Sequence, residues 1–252
     1  MTNKLRYFIG NWKMFGDIGS FRIINKINQF GRKSRNKFNK KIILCVPNTL
    51  ILFFRKKLKS KLISLGVQNC HYHKGYGPFT GSVSSSMLRK SGAEFIILGH
   101  SENRSEGETN QLIKKKIQSA LSEKLNIIFC IGETLKEKNS GKTSFILRKQ
   151  IRSSIKKDFN INKIIFAYEP IWSIGTNKIP KATELNKIIR FIKNEIKIIF
   201  KRVKSPRVLY GGSVNDKNIR SFSSISDIDG FLIGGASQSS KKFIDIVKNY
   251  YK

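Results

Sequence analysis

Acidic residues are scarce in this sequence. Only 16 of its 252 residues are Asp or Glu, against 49 Lys and Arg, so the formal net charge is +33. An excess of this kind raises the possibility of a nucleic-acid partner. The basic runs at 32–41, 55–61 and 114–116, however, carry no aromatic residues arranged as a platform for stacking bases, and they fall on or beside predicted helices. We therefore predict solvated helix surfaces that speed encounter with an anionic substrate, and no specific nucleic-acid site.

Cysteine and long apolar runs are scarce as well. The sequence contains three cysteines, Cys45, Cys70 and Cys130. An odd number, with two of them in apolar runs, favours reduced and packed thiols in a cytosolic protein over a disulfide framework. No apolar run approaches the ~20 residues of a membrane span. Asn11 and Lys13 interrupt the first apolar stretch, which predicts that no signal peptide is present. Since no linker-like stretch occurs, we expect residues 1–252 to form a single domain located in the cytoplasm.

The sequence is rich in alternating apolar strands and amphipathic helices. Strands are predicted near residues 6–11, 41–46, 63–69, 94–98, 126–131, 163–168, 207–211 and 229–234. Among the helices, residues 183–200, with Thr183 as the N-cap, and residues 238–251 each show an apolar stripe with a 3.6-residue period. Repeated βα units predict a parallel sheet covered by helices, in the α/β class. Eight units in 252 residues favour a single-domain (β/α)8 barrel, although periodicity alone also permits an open doubly wound sheet.

One stretch, residues 163–177, carries the strongest functional signal. A run of apolar β-formers ends at Glu169, a carboxylate that a strand interior could not hold unpaired. Pro170 keeps Glu169 extended. The residues that follow, 170–177, combine apolar side chains such as Trp172 with a glycine, Gly175, whose backbone N–H can approach a ligand closely. This composition predicts a lid (residues 170–177), whereas an isolated Glu-Pro pair would indicate an ordinary turn.

Two polar side chains end the first predicted strand. Asn11 and Lys13 are two residues apart, so in a strand both would point to the same face. Trp12 and Met14 would then point to the other face. A polar strand end that faces solvent is common, but the two apolar neighbours favour a site at this end of the strand.

Six motifs resemble those of the triosephosphate isomerase family and occur in the same order. They are Asn11-Trp12-Lys13-Met14, Gly99-His100-Ser101-Glu102, Cys130-Ile131-Gly132-Glu133, the stretch from Tyr168-Glu169-Pro170 to Asn177, Tyr210-Gly211-Gly212-Ser213-Val214, and Gly234-Gly235-Ala236-Ser237. They follow the ends of predicted strands, where barrel enzymes place their chemistry. The resemblance implies an isomerase of glycolysis and gluconeogenesis. Such an enzyme interconverts dihydroxyacetone phosphate and D-glyceraldehyde 3-phosphate through an enediolate, without a cofactor or a metal.

The resemblance also implies a role for each matching residue. Glu169 would take the proton next to the substrate carbonyl and return it to the adjacent carbon. His100 would polarise the carbonyl as a neutral ring, because it precedes a short helix, capped by Ser101, whose N-terminus disfavours a cation. Asn11 and Lys13 would stabilise the negative charge of the enediolate. The expected substrate-binding residues are Asn11, Lys13, Gly175, Ser213, Gly234 and Gly235.

Glycine pairs at two successive strand ends predict a phosphate cradle. Gly211-Gly212-Ser213 ends the seventh strand and Gly234-Gly235 ends the eighth. Glycines let backbone N–H groups meet phosphate oxygens, and barrels often bind phosphate after strands 7 and 8. Around this cradle, the resemblance implies supporting roles for Glu102 as the partner of Lys13, for Glu133 as an anchor of the lid or of the histidine-bearing loop, and for Trp172 and Tyr210.

Residues 71–82 form a long predicted loop with three glycines and a proline. They resemble the loop through which members of the family dock into the partner of a homodimer, with Thr80 reaching the partner's first-strand site. His71 and His73 are spaced i, i+2, but no cysteine or carboxylate lies nearby in sequence. We therefore predict no metal site in this loop.

The chain departs from the family's pattern at four positions. Asn103 stands where arginine is usual and Ser82 where an acid is often found, so local ion pairs and dimer contacts are expected to differ. In the lid, Ser173 replaces the common alanine, which we expect to be a mild change. Asn177 replaces glycine at the C-terminal end of the lid. Because asparagine adopts left-handed backbone angles less freely than glycine, we expect an altered opening rate.

Two alternatives remain at this stage. Another phosphate-binding barrel, such as an epimerase or an aldolase, would share the glycine cradle but would need a different catalytic set, for instance a Schiff-base lysine. A nucleic-acid-binding protein built on a barrel would explain the charge, and its binding would depend steeply on salt.

Overall fold

Eight parallel strands close into a barrel in the computed structural model, which describes residues 4–60, 62–201, 203 and 205–252. Each strand pairs with the next, and the eighth pairs with the first. The strands are β1 (Arg6–Asn11), β2 (Lys40–Cys45), β3 (Ile63–Val67), β4 (Phe95–Leu98), β5 (Asn126–Ile131), β6 (Ile164–Tyr168), β7 (Arg207–Tyr210) and β8 (Gly230–Ile233). The predicted (β/α)8 barrel is therefore confirmed, and the open sheet is excluded.

Helices cover the outside of the barrel between the strands. They are α1 (Phe21–Lys33), α2 (Asn48–Lys57), α3 (Ser85–Lys90), α4 (Ser101–Ser105), α5 (Asn110–Ser122), α6 (Leu135–Asn139), α7 (Thr143–Ser154), α8 (Ala182–Ile199) and α9 (Ser240–Tyr250). Short 3-10 helices occur at Ile18–Ser20, Ile161–Lys163, Ile171–Ser173, Ile219–Phe222 and Gly235–Gln238. No helix within the described ranges is long and apolar enough to cross a lipid bilayer.

Two predicted helix caps are wrong. The N-cap of α8 is Lys181, which has an extended backbone, and Thr183 lies inside the helix that begins at Ala182. Its hydroxyl is therefore too far along the chain to cap the first turn. The N-cap of α4 is His100 rather than Ser101, since the side chain of His100 accepts a hydrogen bond from the backbone N–H of Glu102.

The core has two layers because the strands of a closed parallel barrel bury both faces. The inner layer fills the barrel with side chains that include Ile9, Ile43, Cys45, Ile97, Ile128, Cys130, Ile165, Ala167, Leu209 and Leu232. The outer layer packs the other strand faces against the helices. All three cysteines are free and buried, as the sequence predicted. With the barrel interior filled by apolar side chains, polar groups can gather only at its ends.

Candidate active site

A cavity of about 250 Å³ opens where the strands end at their carboxyl side. Its lining includes Asn11, Lys13, His100, Glu169, Gly175, Ser213, Gly234 and Gly235. These are all of the residues that the sequence predicted for catalysis and substrate binding, and they come from the carboxyl ends of five different strands and the loops that follow them. The structure therefore brings the predicted site together in one place, while the role of each residue stays a prediction.

Glu169 follows β6 directly and is only 4 % exposed. Its backbone N–H donates to the carbonyl of Ile131 at 2.8 Å, which continues the β5–β6 pairing past the end of the strand. Gly211 packs against the side chain so closely that a Cβ there would lie 2.6 Å from Glu169 Cγ. Among the described residues, no hydrogen-bond partner reaches the buried Oε2 atom. The carboxylate is thus held firmly, with one oxygen free to accept a proton.

His100 is buried beside this carboxylate. The backbone N–H of Glu102 donates to Nδ1 at 3.3 Å. A ring nitrogen that accepts a hydrogen bond carries no proton, so the proton of a neutral ring must be on Nε2. Nε2 lies 3.5 Å from Oε1 of Glu169. The ring can therefore offer a donor to a ligand in the cavity that both side chains line.

Lys13 and Asn11 reach the cavity by a route that differs from the predicted one. The strand ends at Asn11, and Lys13 has a left-handed backbone with φ +56°. The side-chain oxygen of Asn11 accepts a hydrogen bond from the N–H of Lys13 at 3.0 Å, which stabilises this turn. Trp12 is buried as expected, but Met14 is fully exposed because the chain has already left the strand.

The ammonium of Lys13 forms an ion pair with Oε1 of Glu102, as predicted. Two further polar residues hold this part of the site, and sequence reasoning missed both. Gln68 Nε2 donates to Asn11 Oδ1 at 3.2 Å and to the carbonyl of Lys13 at 3.0 Å. Its position directly after the apolar run of β3 is a signal that could have indicated a role.

Arg104 is the second residue that sequence reasoning missed. Its guanidinium donates from Nε to the carbonyl of Gly99 at 2.7 Å and from Nη2 to the carbonyl of Cys130 at 3.3 Å. It thereby joins the ends of β4 and β5 behind His100 and Glu169. Burial of the guanidinium lowers the pKa of Arg104 from its usual value.

Glu133 anchors the start of the lid. One carboxylate oxygen accepts hydrogen bonds from the hydroxyl of Tyr168 at 3.0 Å and from Nε1 of Trp172 at 2.9 Å. Burial raises the pKa of Glu133 above its usual value, and these hydrogen bonds oppose the rise. The ammonium of Lys138 lies 3.7 Å from the centre of the Trp172 ring, on its face. Of the two anchoring roles that the sequence left open for Glu133, these contacts favour the lid.

The other end of the lid also meets the loop after β7. Asn177 has a left-handed backbone with φ +60°, and its N–H donates to the hydroxyl of Ser213 at 3.1 Å. Asparagine is among the non-glycine residues that most often adopt this conformation. The substitution of the family's glycine is therefore accommodated, and its effect on the opening rate stays a prediction.

No cluster of three or more His, Cys, Asp or Glu side chains that could hold a metal ion occurs in the part of the chain that the structure describes. In the loop 71–82, Nδ1 of His71 accepts a hydrogen bond from the N–H of His73 at 3.1 Å. The rings of both histidines pack against Phe79.

A closed barrel that presents a carboxylate, an imidazole and an amine to one small cavity, beside two glycine-rich loops, defines an α/β-barrel enzyme that carries out acid–base chemistry on a small phosphorylated substrate. The model of the triosephosphate isomerase family matches residues 6–250 of this chain. The chain therefore belongs to the triosephosphate isomerase family.

Individual relatives agree with this assignment over nearly the whole chain. The triosephosphate isomerases of Dictyoglomus turgidum and Dictyoglomus thermophilum are 37 % and 38 % identical to it over 244 residues, which cover 95 % of this chain and 97 % of each relative. A crystal structure of triosephosphate isomerase from Bartonella henselae matches with a TM-score of 0.87 at 33 % identity, over 98 % of this chain and 99 % of that one. The activity is the glycolytic interconversion of dihydroxyacetone phosphate and D-glyceraldehyde 3-phosphate.

Proposed function

We propose that Glu169 is the base of this isomerase. The observation that carries the proposal is the approach of its carboxylate to Nε2 of His100, 3.5 Å away, in the cavity that Lys13 also lines. A three-carbon substrate in this cavity would place the C–H next to its carbonyl against the carboxylate and the carbonyl oxygen against the imidazole. Glu169 then takes the proton from one carbon and returns it to the next. Isomerase assays of the purified chain and of its Glu169→Gln variant test this assignment.

His100 acts on the oxygens while Glu169 acts on the carbons. Its Nε2–H donates to the carbonyl oxygen and moves protons between the two oxygens of the enediolate. The hydrogen bond from the Glu102 N–H to Nδ1 supports this role, because it fixes the tautomer that has its proton on Nε2. Asn11 and Lys13 stabilise the negative charge that develops on these oxygens.

The phosphate of the substrate binds at the glycine-rich side of the cavity. Backbone N–H groups of Gly175, Ser213, Gly234 and Gly235 are the proposed donors, since these residues line the same cavity as Glu169 and carry little or no side chain. When the lid covers this end, water is excluded from the enediolate. We propose that the whole chain, residues 1–252, is one catalytic domain that works in the cytoplasm, in gluconeogenesis as well as glycolysis. The three buried, free thiols support a reducing compartment.

The positive charge of the chain should speed the capture of this dianionic substrate. We expect kcat/KM for the triose phosphate to fall roughly tenfold as the ionic strength rises from about 0.01 M to about 0.15 M, because the Debye length shrinks from about 30 Å to about 8 Å. Unphosphorylated glyceraldehyde is the matched control, since it has no charge to steer. Equal salt dependence for both substrates would contradict electrostatic steering.

We also propose that the chain forms a homodimer through the loop 71–82. The loop is largely exposed, with Tyr76 72 % exposed at its tip. A second cavity of about 310 Å³ borders the active site and is lined by Asn11, Lys13, Met14, His100 and Asn103, among others. Thr80 of a second copy would enter this cavity and complete the wall around Lys13. Met14 is fully exposed and lines this second cavity, so the loop of a second copy seated there would cover it.

Met14→Asp should therefore separate the subunits. A carboxylate buried in the interface without a partner should weaken the dimer roughly a hundredfold or more, and kcat should fall with it at low protein concentration. Analytical ultracentrifugation beside kinetic assays measures both effects. Ile198→Asp is the control, because Ile198 is an exposed apolar residue (58 %) on α8, away from this surface. A Met14→Asp variant that stays dimeric would remove the proposed interface.

A further inference from the structure

The hydroxyl of Ser173 lies at the centre of the contacts between the lid and the barrel. Ser173 is fully buried, and its Oγ donates to the carbonyl of Lys178 at 2.5 Å. Oγ also lies 2.9 Å from the hydroxyl of Tyr210 and accepts the N–H of Ser213 at 3.3 Å. A hydroxyl has one proton and two lone pairs. Since the proton points to Lys178, Tyr210 must donate to Ser173, and the hydroxyl of Ser173 has no hydrogen-bonding capacity left.

The backbone of Ser173 takes part in the same network. The hydroxyl of Ser213 donates to the carbonyl of Ser173 at 2.7 Å and accepts the N–H of Asn177 at 3.1 Å. The two serines thus connect the middle of the lid, its C-terminal end and the loop after β7. That loop also supplies Ser213 as a proposed phosphate ligand, so the position of the lid and the shape of the phosphate site are coupled.

The surroundings of Tyr210 make the hydroxyl of Ser173 hard to replace. Tyr210 is fully buried, and burial raises its pKa to about 12, so the phenol stays a donor at neutral pH. A Cβ on Gly212 would lie 2.2 Å from Tyr210 Oη and 2.5 Å from Ser173 Oγ. The glycine therefore leaves the space in which the two hydroxyls meet.

We propose that Ser173 is a positioning residue of this isomerase, whose hydroxyl fixes the lid against the loop after β7 through Tyr210. Alanine, which is common at this position in the family, cannot make this contact. The inference rests on the proposed function of residues 170–177 as the lid. It also replaces our expectation from the sequence that the exchange of alanine for serine is a mild change.

A loosened lid has a specific chemical consequence. In an open site the enediolate can expel its phosphate: the bond between carbon and the phosphate oxygen breaks, and its electron pair leaves with inorganic phosphate. The remaining enol takes up a proton at its terminal carbon and releases its hydroxyl proton, which gives methylglyoxal. A well-placed lid holds this bond near the plane of the enediolate, where it cannot overlap with the π electrons that would expel the phosphate, and it excludes the water that would solvate the leaving group. The ratio of phosphate released to triose isomerised therefore reports on the lid and not on overall stability.

Ser173→Ala should raise this ratio roughly tenfold, the factor that corresponds to one lost hydrogen bond between buried groups. KM for the triose phosphate should rise in the same variant. Inorganic phosphate and methylglyoxal are measured beside isomerisation in the same reaction. Ser154→Ala is the matched control: Ser154 is equally buried but lies on α7, away from the lid, so it should leave the ratio unchanged.

Tyr210→Phe completes a double-mutant cycle. If the two hydroxyls act through their mutual hydrogen bond, Tyr210→Phe should raise the ratio by a similar factor, and the double variant should exceed neither single variant by much. An unchanged ratio in an active Ser173→Ala enzyme, or fully additive effects in the cycle, would overturn the inference alone. A parent chain without isomerase activity would instead overturn the proposed residue roles together with it.

Discussion

Replacing Glu169 by glutamine should lower kcat by a factor between about a hundred and ten thousand, the range attributed to a positioned general base. Glutamine has almost the same shape, but its amide cannot accept the proton from carbon. The backbone hydrogen bond from Glu169 to Ile131 and the close packing of Gly211 should hold the amide where the carboxylate lies. KM should therefore change little, because binding of the substrate does not depend on proton transfer.

Two measurements make this result decisive. In a coupled isomerase assay, the kcat of the Glu169→Gln variant should be lower than that of the parent. Its affinity for inorganic phosphate, which occupies only the glycine-rich end of the cavity, should equal that of the parent. In deuterated water, the parent should incorporate deuterium at the carbon next to the carbonyl, and the variant should not. A variant that keeps kcat within a few-fold of the parent would show that another group removes the proton.

The barrel could be predicted from the sequence because its strands are short apolar runs with both faces buried. For β5 the predicted bounds match the observed Asn126–Ile131, while β3 ends at Val67, two residues before the prediction. Gln68 and Asn69 leave the strand pairing and donate hydrogen bonds to side chains from other parts of the chain. Such partners cannot be predicted from the strand propensity of the residues themselves. The predictions of the helix caps were wrong for a related reason, since the N-cap of α8 depends on where the backbone turns after Pro180.

The residues that line the site could be predicted from the sequence, but the residues that hold them in place could not. Glu169, His100 and Lys13 stand in motifs at strand ends, so a sequence can point to them directly. Gln68 contacts Asn11 from another strand end, and Arg104 contacts the carbonyl of Cys130 from α4. Such contacts between distant parts of the chain leave no local pattern. Ser173 was visible as a departure from the family, but its consequence depends on the buried hydroxyl of Tyr210, which lies next to it only in the folded chain.

We expect the charge of Lys13 to make the second large contribution to the reaction, because of where the ammonium lies. Its left-handed backbone, held by Asn11 and Gln68, directs the side chain over the cavity rather than along the strand. Its side chain is 29 % exposed, so the ammonium is partly withdrawn from water, and Glu102 holds it at the wall of the cavity. A cation fixed in this way needs no rearrangement when negative charge appears on the enediolate, which is the condition under which such a group accelerates a reaction most.

Lys13→Met should therefore reduce kcat/KM by a factor between about a hundred and a thousand, the usual cost of removing one fixed charge-stabilising donor. Methionine keeps most of the length and volume of the side chain but removes the charge. Both kcat and KM should worsen, because the ammonium attracts the phosphorylated substrate as well as the enediolate. Steady-state kinetics in both directions of the reaction measure the two effects separately.

The matched control is Lys241→Met, which removes the same unit of charge from the chain at an exposed position on α9, 88 % exposed and paired with Asp245. If the lower kcat/KM of Lys13→Met came only from weaker long-range attraction of the substrate, Lys241→Met should show the same decrease. In that case an ionic strength of about 1 M should also remove the difference between the parent and Lys13→Met. If the ammonium acts on the enediolate at short range, the loss in kcat should persist at high salt, where interactions beyond a Debye length of about 3 Å are screened. We expect the decrease in kcat of Lys13→Met to be independent of salt, because the ammonium of Lys13 and the substrate would share one small cavity at the end of the first strand.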